Sequence, residues 1–360
     1  MSARWKQILA VTCITPKTYS YRIRAMSRTC VVPHLSNPAS LRLVKFTLFA
    51  LFVLFALTGA AGLAQTTGQT TPSQEVGKTT QADLLWQKLE TTVQQVNREL
   101  DGTMGVAIMD MTDGRVFLQN SDSVFVTASS IKVAILAELY RQQQPSESAS
   151  GKAKLSDLYT MDAHDLVGSS AIMAGLTPGV TRVTNRDLAT FMVAVSDNSA
   201  TNVLIDRVGM QNVNVLLDSL GLHQTRLQRK MMDFKAAQEG RENISTPREM
   251  MTLLADVYQN KVLNKTLTDD FFKVLGTPKE SDIPRYIPED VICANKPGQL
   301  PAVRNDVGIV FVPNRPFVIA VMTAYLQHDR DGDDAIAKIA GAAYDYFARI
   351  ARSSPYGRAF

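Results

Sequence analysis

The chain has 360 residues, 45% of them hydrophobic, which is ample material for one large domain or two. Its formal charge of +4 resides at the start, where residues 1–64 hold eight Lys and Arg and no acid; the remainder carries 30 basic against 34 acidic residues, a net charge of −4. That balance excludes a general electrostatic attraction to nucleic acid or to an anionic membrane.

Taken in chain order, the first recognisable element is a leader. Arg42 and Lys45 precede the apolar run 46–57, and Gly62-Leu63-Ala64 ends it in small residues. This is the pattern of a secretory signal peptide cut after Ala64, with an uncleaved membrane anchor over 46–64 as the alternative. Met26 offers a second possible start. The mature protein is accordingly expected to be secreted or periplasmic. Residues 65–80, rich in Thr, Gln, Gly and Ser, have little to bury and are expected to form a disordered linker.

Beyond the linker, Leu84, Leu85, Leu89, Val93 and Val96 recur with a helical period. Gly105–Asp110 and Arg115–Gln119 flank Thr112-Asp113-Gly114, which predicts a hairpin. A helix is expected to begin near Ala128 and to bury Val133, Ile135, Leu136 and Leu139. From 154 to 270 the pattern is helical, with an amphipathic helix over 184–195, more of the same over 201–220, and Thr246-Pro247 starting another. Strand patterns return at 291–294, 307–312 and 317–324, and a helix over 333–350 closes the chain. The order implies a sheet region (81–145 and 285–352) interrupted by an all-helical part (146–284), together one catalytic domain over 81–352 of α/β (α+β) class.

Of three cysteines, Cys13 and Cys30 belong to the leader, and Cys293 is left without an intrachain partner in an apolar strand-like run. His34, His164, His223 and His328 show no ligand spacing, so neither a metal nor another cofactor is expected.

Three stretches carry chemistry. In Ala128-Ser129-Ser130-Ile131-Lys132, Ser129 and Lys132 are i and i+3, so at a helix start both side chains project from one face and can meet. A serine hydroxyl needs a base to become a nucleophile, and a lysine serves if burial or a positive field lowers its pKa. Ser196-Asp197-Asn198 follows, offering a second hydroxyl to relay a proton and a carboxamide to orient the lysine and bind a substrate amide. Later comes Asn295-Lys296-Pro297-Gly298-Gln299, in which Lys296 offers a fixed positive charge and Gly298 permits close approach to the backbone.

These stretches resemble the Ser-x-x-Lys, Ser-Asp-Asn and Lys-Thr-Gly signature of the serine beta-lactamase and penicillin-binding family, and their surroundings look most like class A. The resemblance implies a beta-lactamase/DD-peptidase-like fold, with an antiparallel sheet flanked by N- and C-terminal helices and a helical inserted subdomain. It implies that Ser129 is acylated, that Lys132 is its base or proton relay, and that Ser196 protonates the departing nitrogen. Asn198 would hold Lys132 and the substrate side chain, and Lys296 would anchor the substrate carboxylate. The backbone N–H groups of Ser129 and Gln299 would form the oxyanion hole beside Gly298, and Arg304 would be a second carboxylate contact. The implied partner is a small beta-lactam or a peptidoglycan peptide, met by a monomer.

Three positions depart from the pattern. Pro297 stands where the family has a hydroxyl residue; its missing N–H is expected on an open sheet edge, where no ladder bond is lost. Met231 falls where class A enzymes carry their deacylating glutamate, with Asp233, Glu239 and Glu242 nearby but out of step. Ser169 falls where an aromatic usually walls the site. A slowly deacylating beta-lactamase, a penicillin-binding or peptidase-like acyl-enzyme, and a turnover-deficient binding protein on the same scaffold all remain open.

Overall fold

The computed structural model describes residues 79–145 and 153–360; the leader, the cleavage site and most of the linker lie outside them. The chain starts with α1 (Gln81–Glu99), whose N-terminus is closed by a reciprocal cap between Thr80 and Asp83. Next come β1 (Thr103–Asp110) and β2 (Val116–Gln119), turned by Gly114 at φ 76°, as the Thr-Asp-Gly signal predicts. A short β3 (Phe125–Val126) leads through a 3-10 turn (Ala128–Ile131) into α2 (Lys132–Gln143).

The helical part holds β4 (Leu158–Thr160), β5 (Arg182–Thr184), α3 (Asn185–Ala194), α4 (Asn198–Val208) and α5 (Met210–Ser219). Where one continued helical stretch is expected over 201–220, Gly209 at φ 84° separates α4 from α5, a conformation that costs a glycine little. Then follow α6 (Phe234–Gln238), β6 (Ile244–Ser245), α7 (Pro247–Tyr258) and α8 (Lys265–Leu275). Thr246 caps α7 and Pro247 opens its first turn, as expected.

The chain ends with β7 (Cys293–Leu300), β8 (Val303–Val310), β9 (Phe317–Ala324) and α9 (Asp329–Ala351). The main sheet is antiparallel with the order β2-β1-β9-β8-β7. Because side chains alternate across a strand, the sheet feeds two cores. Val106, Ile108, Ile319 and Val321 face α1 and α9, where Trp86 packs edge-on against Tyr346 at 5.1 Å. Ala107, Val318, Ala320 and Met322 face the helical part, together with the apolar side of α2 and α7. Each fully buried aliphatic or aromatic side chain of this kind contributes about 1.5–3 kcal/mol.

Strand β7 is an edge, paired with β8 alone, and it runs through Lys296-Pro297-Gly298 instead of stopping at 294. A proline is tolerated there because an edge strand leaves alternate N–H groups without a ladder partner.

Candidate active site

Burial prepares the lysine. Lys132 is the first residue of α2 and its side chain is fully buried. Its Nζ donates to the carbonyl oxygen of Ser196 at 2.8 Å, to Ser196 Oγ at 2.9 Å and to Asn198 Oδ1 at 3.0 Å. Burial, and next the positive charge of Lys296, hold its pKa well below the ordinary lysine value, while Asp197 pulls the other way.

Ser129 and Lys132 do project from one face, yet no hydrogen bond joins them directly. Ser196 Oγ stands between, 2.9 Å from Ser129 Oγ and 2.9 Å from Lys132 Nζ. The three groups form a chain. Its geometry depends on two backbone residues in the left-handed region, Ala128 at φ 48° and Ser196 at φ 56°, each beside or within the reacting set. Such conformations cost free energy and persist only where the surroundings hold them. At Ser196 the holding group is Asp197, fully buried, whose carboxylate accepts from the backbone N–H groups of Ile172, Met173 and Ala200 at 2.9–3.0 Å and caps α4. Asn198 is tied by its own Nδ2 to the carbonyl of Gly168.

Strand β7 closes the other side. A Cβ on Gly298 would lie 2.5 Å from the Thr127 carbonyl oxygen, 2.9 Å from Ser130 N and 3.1 Å from Ser129 N, so only glycine lets the strand lie on the turn that carries Ser129. Lys296 is buried and its Nζ donates to Pro297 O at 2.9 Å. Burial moves its pKa down to about 7; Asp306 raises it and Lys279 lowers it further. Asp306 is itself buried, with its carboxylate accepting from Asn295 Nδ2 at 2.8 and 2.9 Å and from the N–H groups of Asp282 and Ile283.

Ser129, Ser196, Asn198, Lys296, Pro297 and Gln299 all line one cleft of about 810 Å³. Ser169 lines it as well, in place of an aromatic wall. So does Met231, whose backbone is held in both directions by Asn202: N–H to Oδ1 at 2.8 Å and Nδ2 to the carbonyl at 3.1 Å. The three nearby acids are otherwise engaged, Asp233 as the cap of α6, Glu239 with Arg241 at 2.6 Å and Glu242 with Arg229 at 2.8 Å, and none lines the cleft.

One expectation is corrected. Arg304 does not reach the cleft: it sits opposite Gln299 on the sheet face that meets α9, and its guanidinium pairs with Asp329 and Asp333, each at 2.9 Å. Conversely, the cleft includes residues that carried no sequence signal. Lys279 lies on its wall, its pKa brought down to about 8 chiefly by burial, and Glu280 and Phe234 stand at its mouth, with Phe234 60% exposed. Cys293 is in β7 as expected, and burial pushes its thiol up to about 12, which leaves it inert at neutral pH. Among the described residues no group of three His, Cys, Asp or Glu is placed to hold a metal, and no helix is long and apolar enough to cross a membrane.

A buried lysine, a serine bridging it to Ser129 and an edge strand lying on the turn that carries Ser129 make up a site of serine-hydrolase type, and the family match agrees. The profile of the beta-lactamase enzyme family matches residues 88–347, so the chain belongs to that family, as a divergent member of class A type. It is 26% identical to beta-lactamase SME-1 of Serratia marcescens over 257 residues, covering 68% of this chain and 84% of that one. It is 28% identical to beta-lactamase AST-1 of Nocardia asteroides over 262 residues, covering 71% and 80%. Among solved structures it resembles a beta-lactamase from Sphaerobacter thermophilus at 30% identity and a TM-score of 0.65, covering 72% of this chain and 97% of that one. It resembles PBP-A at 25% identity and a TM-score of 0.64, covering 72% and 96%.

Proposed function

We propose that the protein is a secreted serine hydrolase that opens the amide of beta-lactams through an acyl-enzyme on Ser129 and releases that acyl group slowly. The observation that carries this reading is the chain Ser129 Oγ, Ser196 Oγ, Lys132 Nζ, with both links at 2.9 Å. Three acceptors around Nζ suit an ammonium, which has three donors. Burial and Lys296 favour its loss of a proton. The neutral amine then keeps two N–H bonds, to Ser196 O and Asn198 Oδ1, and turns its lone pair to Ser196 Oγ. Both hydroxyl hydrogens rotate the other way. Ser129 donates to Ser196, and Ser196 to Lys132.

As Ser129 Oγ attacks the lactam carbonyl, its proton passes to Ser196 Oγ while the Ser196 proton passes to Lys132. The carbonyl oxygen gains the negative charge and is held by the N–H groups of Ser129 and Gln299. On collapse the C–N bond breaks, and the proton returns from Lys132 through Ser196 to the departing nitrogen. Lys296 holds the substrate carboxylate, and Asn198 the side-chain amide. A positioned base of this kind contributes about 10²–10⁴-fold.

Release is the slower half. Water attack on the acyl ester needs a base, and Met231, where class A enzymes carry their glutamate, supplies none. That single position favours a second reading, a penicillin-binding or peptidase-like acyl-enzyme acting on peptidoglycan peptides. A variant of PBP-A, similar to this chain, forms an acyl-enzyme complex with penicillin G. The reading includes export after cleavage at Ala64, a catalytic domain over 81–352 and action as a monomer. Mixing the protein with penicillin G and following the adduct mass separates the readings. An adduct that forms and then decays slowly, with matching penicillin hydrolysis, supports the proposed slow hydrolase; formation without loss indicates a penicillin-binding type. Rapid hydrolysis with little standing adduct indicates an efficient beta-lactamase; neither adduct nor hydrolysis refutes both readings.

A further inference from the structure

A second cavity of about 640 Å³ opens away from the cleft, between the end of α7, the exposed side of α8 and the start of β7. It shares no lining residue with the cleft. Three of its walls are aromatic. Tyr258, Phe272 and Phe311 meet at steep angles with ring centroids 5.6–6.2 Å apart, and Ile292, 60% exposed, completes the apolar surface. The rings pack edge-to-face or tilted on one another and Phe272 is largely buried, so together with Ile292 they form a continuous apolar wall against which a flat guest can lie.

The rim gives the guest a charge. Lys265 is neutralised by Asp269 at 2.5 Å. Lys273, exposed in the last turn of α8, makes no ion pair among the described residues; Asp270, whose carboxylate it helps to keep charged, pairs with Arg186, so the Lys273 ammonium stays available at the edge of the apolar box. The Tyr258 hydroxyl makes no hydrogen bond among the described residues and offers a further polar contact. Largely apolar walls with few convergent polar groups are the usual make-up of a small-molecule site.

We propose that this cavity is a binding site for a flat aromatic monocarboxylate, with its rings between Tyr258, Phe272, Phe311 and Ile292 and its carboxylate on Lys273. It is separate from the acylation site and does not depend on the protein's activity. The test is a titration of 2-naphthoate into protein with ¹³C-labelled isoleucine methyls, the Ile292 signal being assigned by Ile292→Val. The Ile292 methyl is expected to shift saturably and equally in the free protein and in the penicillin-acylated protein, which separates this site from the cleft. Lys273→Glu should weaken binding about tenfold, with Lys273→Gln between, and neutral 2-naphthamide should bind as weakly to the unsubstituted protein. Lys273 is exposed, so both variants should fold. An unshifted Ile292 methyl, equal binding of naphthoate and naphthamide, or shifts confined to methyls facing the cleft would overturn the proposal.

Discussion

Replacing Pro297 with threonine tests how the cleft captures a carboxylate. Pro297 lines the cleft on the edge strand next to Lys296, whose Nζ already donates to the Pro297 carbonyl. If Lys296 anchors the substrate carboxylate as proposed, a threonine hydroxyl there adds one donor to the same anion. A hydrogen bond to a charged group contributes about 1.5–3 kcal/mol, which is roughly one to two decades in acylation efficiency. Folding should change little, because β7 pairs only with β8 and the new N–H opposes no strand if it points outward. The added freedom of the unfolded chain costs about 0.4–1 kcal/mol. The assay is the second-order acylation rate of Pro297→Thr and of the unsubstituted protein, with a penicillin and with its carboxylate ester. The gain should appear for the acid and be small for the ester. Equal gains, or none for either, would show that position 297 does not face the carboxylate.

Other consequences follow from the same geometry. Lys296 is charged below its pKa of about 7 and neutral above it. Acylation efficiency by carboxylate-bearing lactams should therefore fall as pH rises through about 7, and Lys296→Arg, which stays charged, should abolish that falling limb in a pH–rate profile. By linkage the depressed pKa means that the unfolded chain binds the extra proton between about pH 7 and 10.5, so this group makes the fold more stable as pH rises across that window. Met231→Glu places a carboxylate on a backbone held by Asn202 and should speed adduct decay by about 10²-fold or more, read by mass spectrometry after penicillin removal. Gly298→Ala brings a methyl to 2.5 Å from the Thr127 carbonyl; it should slow acylation at least about tenfold by shifting β7, at a cost of about 1–3 kcal/mol in a denaturant melt.

The sequence carries the reacting groups more clearly than their surroundings. Ser129 with Lys132 and Ser196 with Asn198 are local pairs, and local spacing on a turn or helix is legible without the fold. Ser196 as the bridge between Ser129 and Lys132 is not legible, since it depends on the left-handed backbone at Ser196 and on the buried Asp197 that holds it. Arg304 shows the limit of reading by motif. Its chain position suits a substrate contact, but its pairing opposite Gln299 sends the side chain to Asp329 and Asp333 on α9, a helix some two dozen residues on. Lys279 and Glu280 come from the connection after α8 and Phe234 from the start of the short α6, and only the packing of those elements brings them to the cleft. The open edge expected at Pro297 is where the sheet has it, but the continuation of β7 to Leu300 is not legible, because the apolar run that marks the strand stops at Ala294.

The central claim is that Ser129 is acylated through the Ser196–Lys132 chain. Its most direct measurement is the rate and site of penicillin G labelling in the unsubstituted protein and in Ser129→Ala, Ser196→Ala and Lys132→Ala, read by intact mass and peptide mapping. One acyl group on Ser129, no label in Ser129→Ala, and labelling slowed by about 10²-fold or more in Lys132→Ala and clearly slowed in Ser196→Ala is the expected result. Label on another residue, label persisting in Ser129→Ala, or an unchanged rate in Lys132→Ala would contradict the claim.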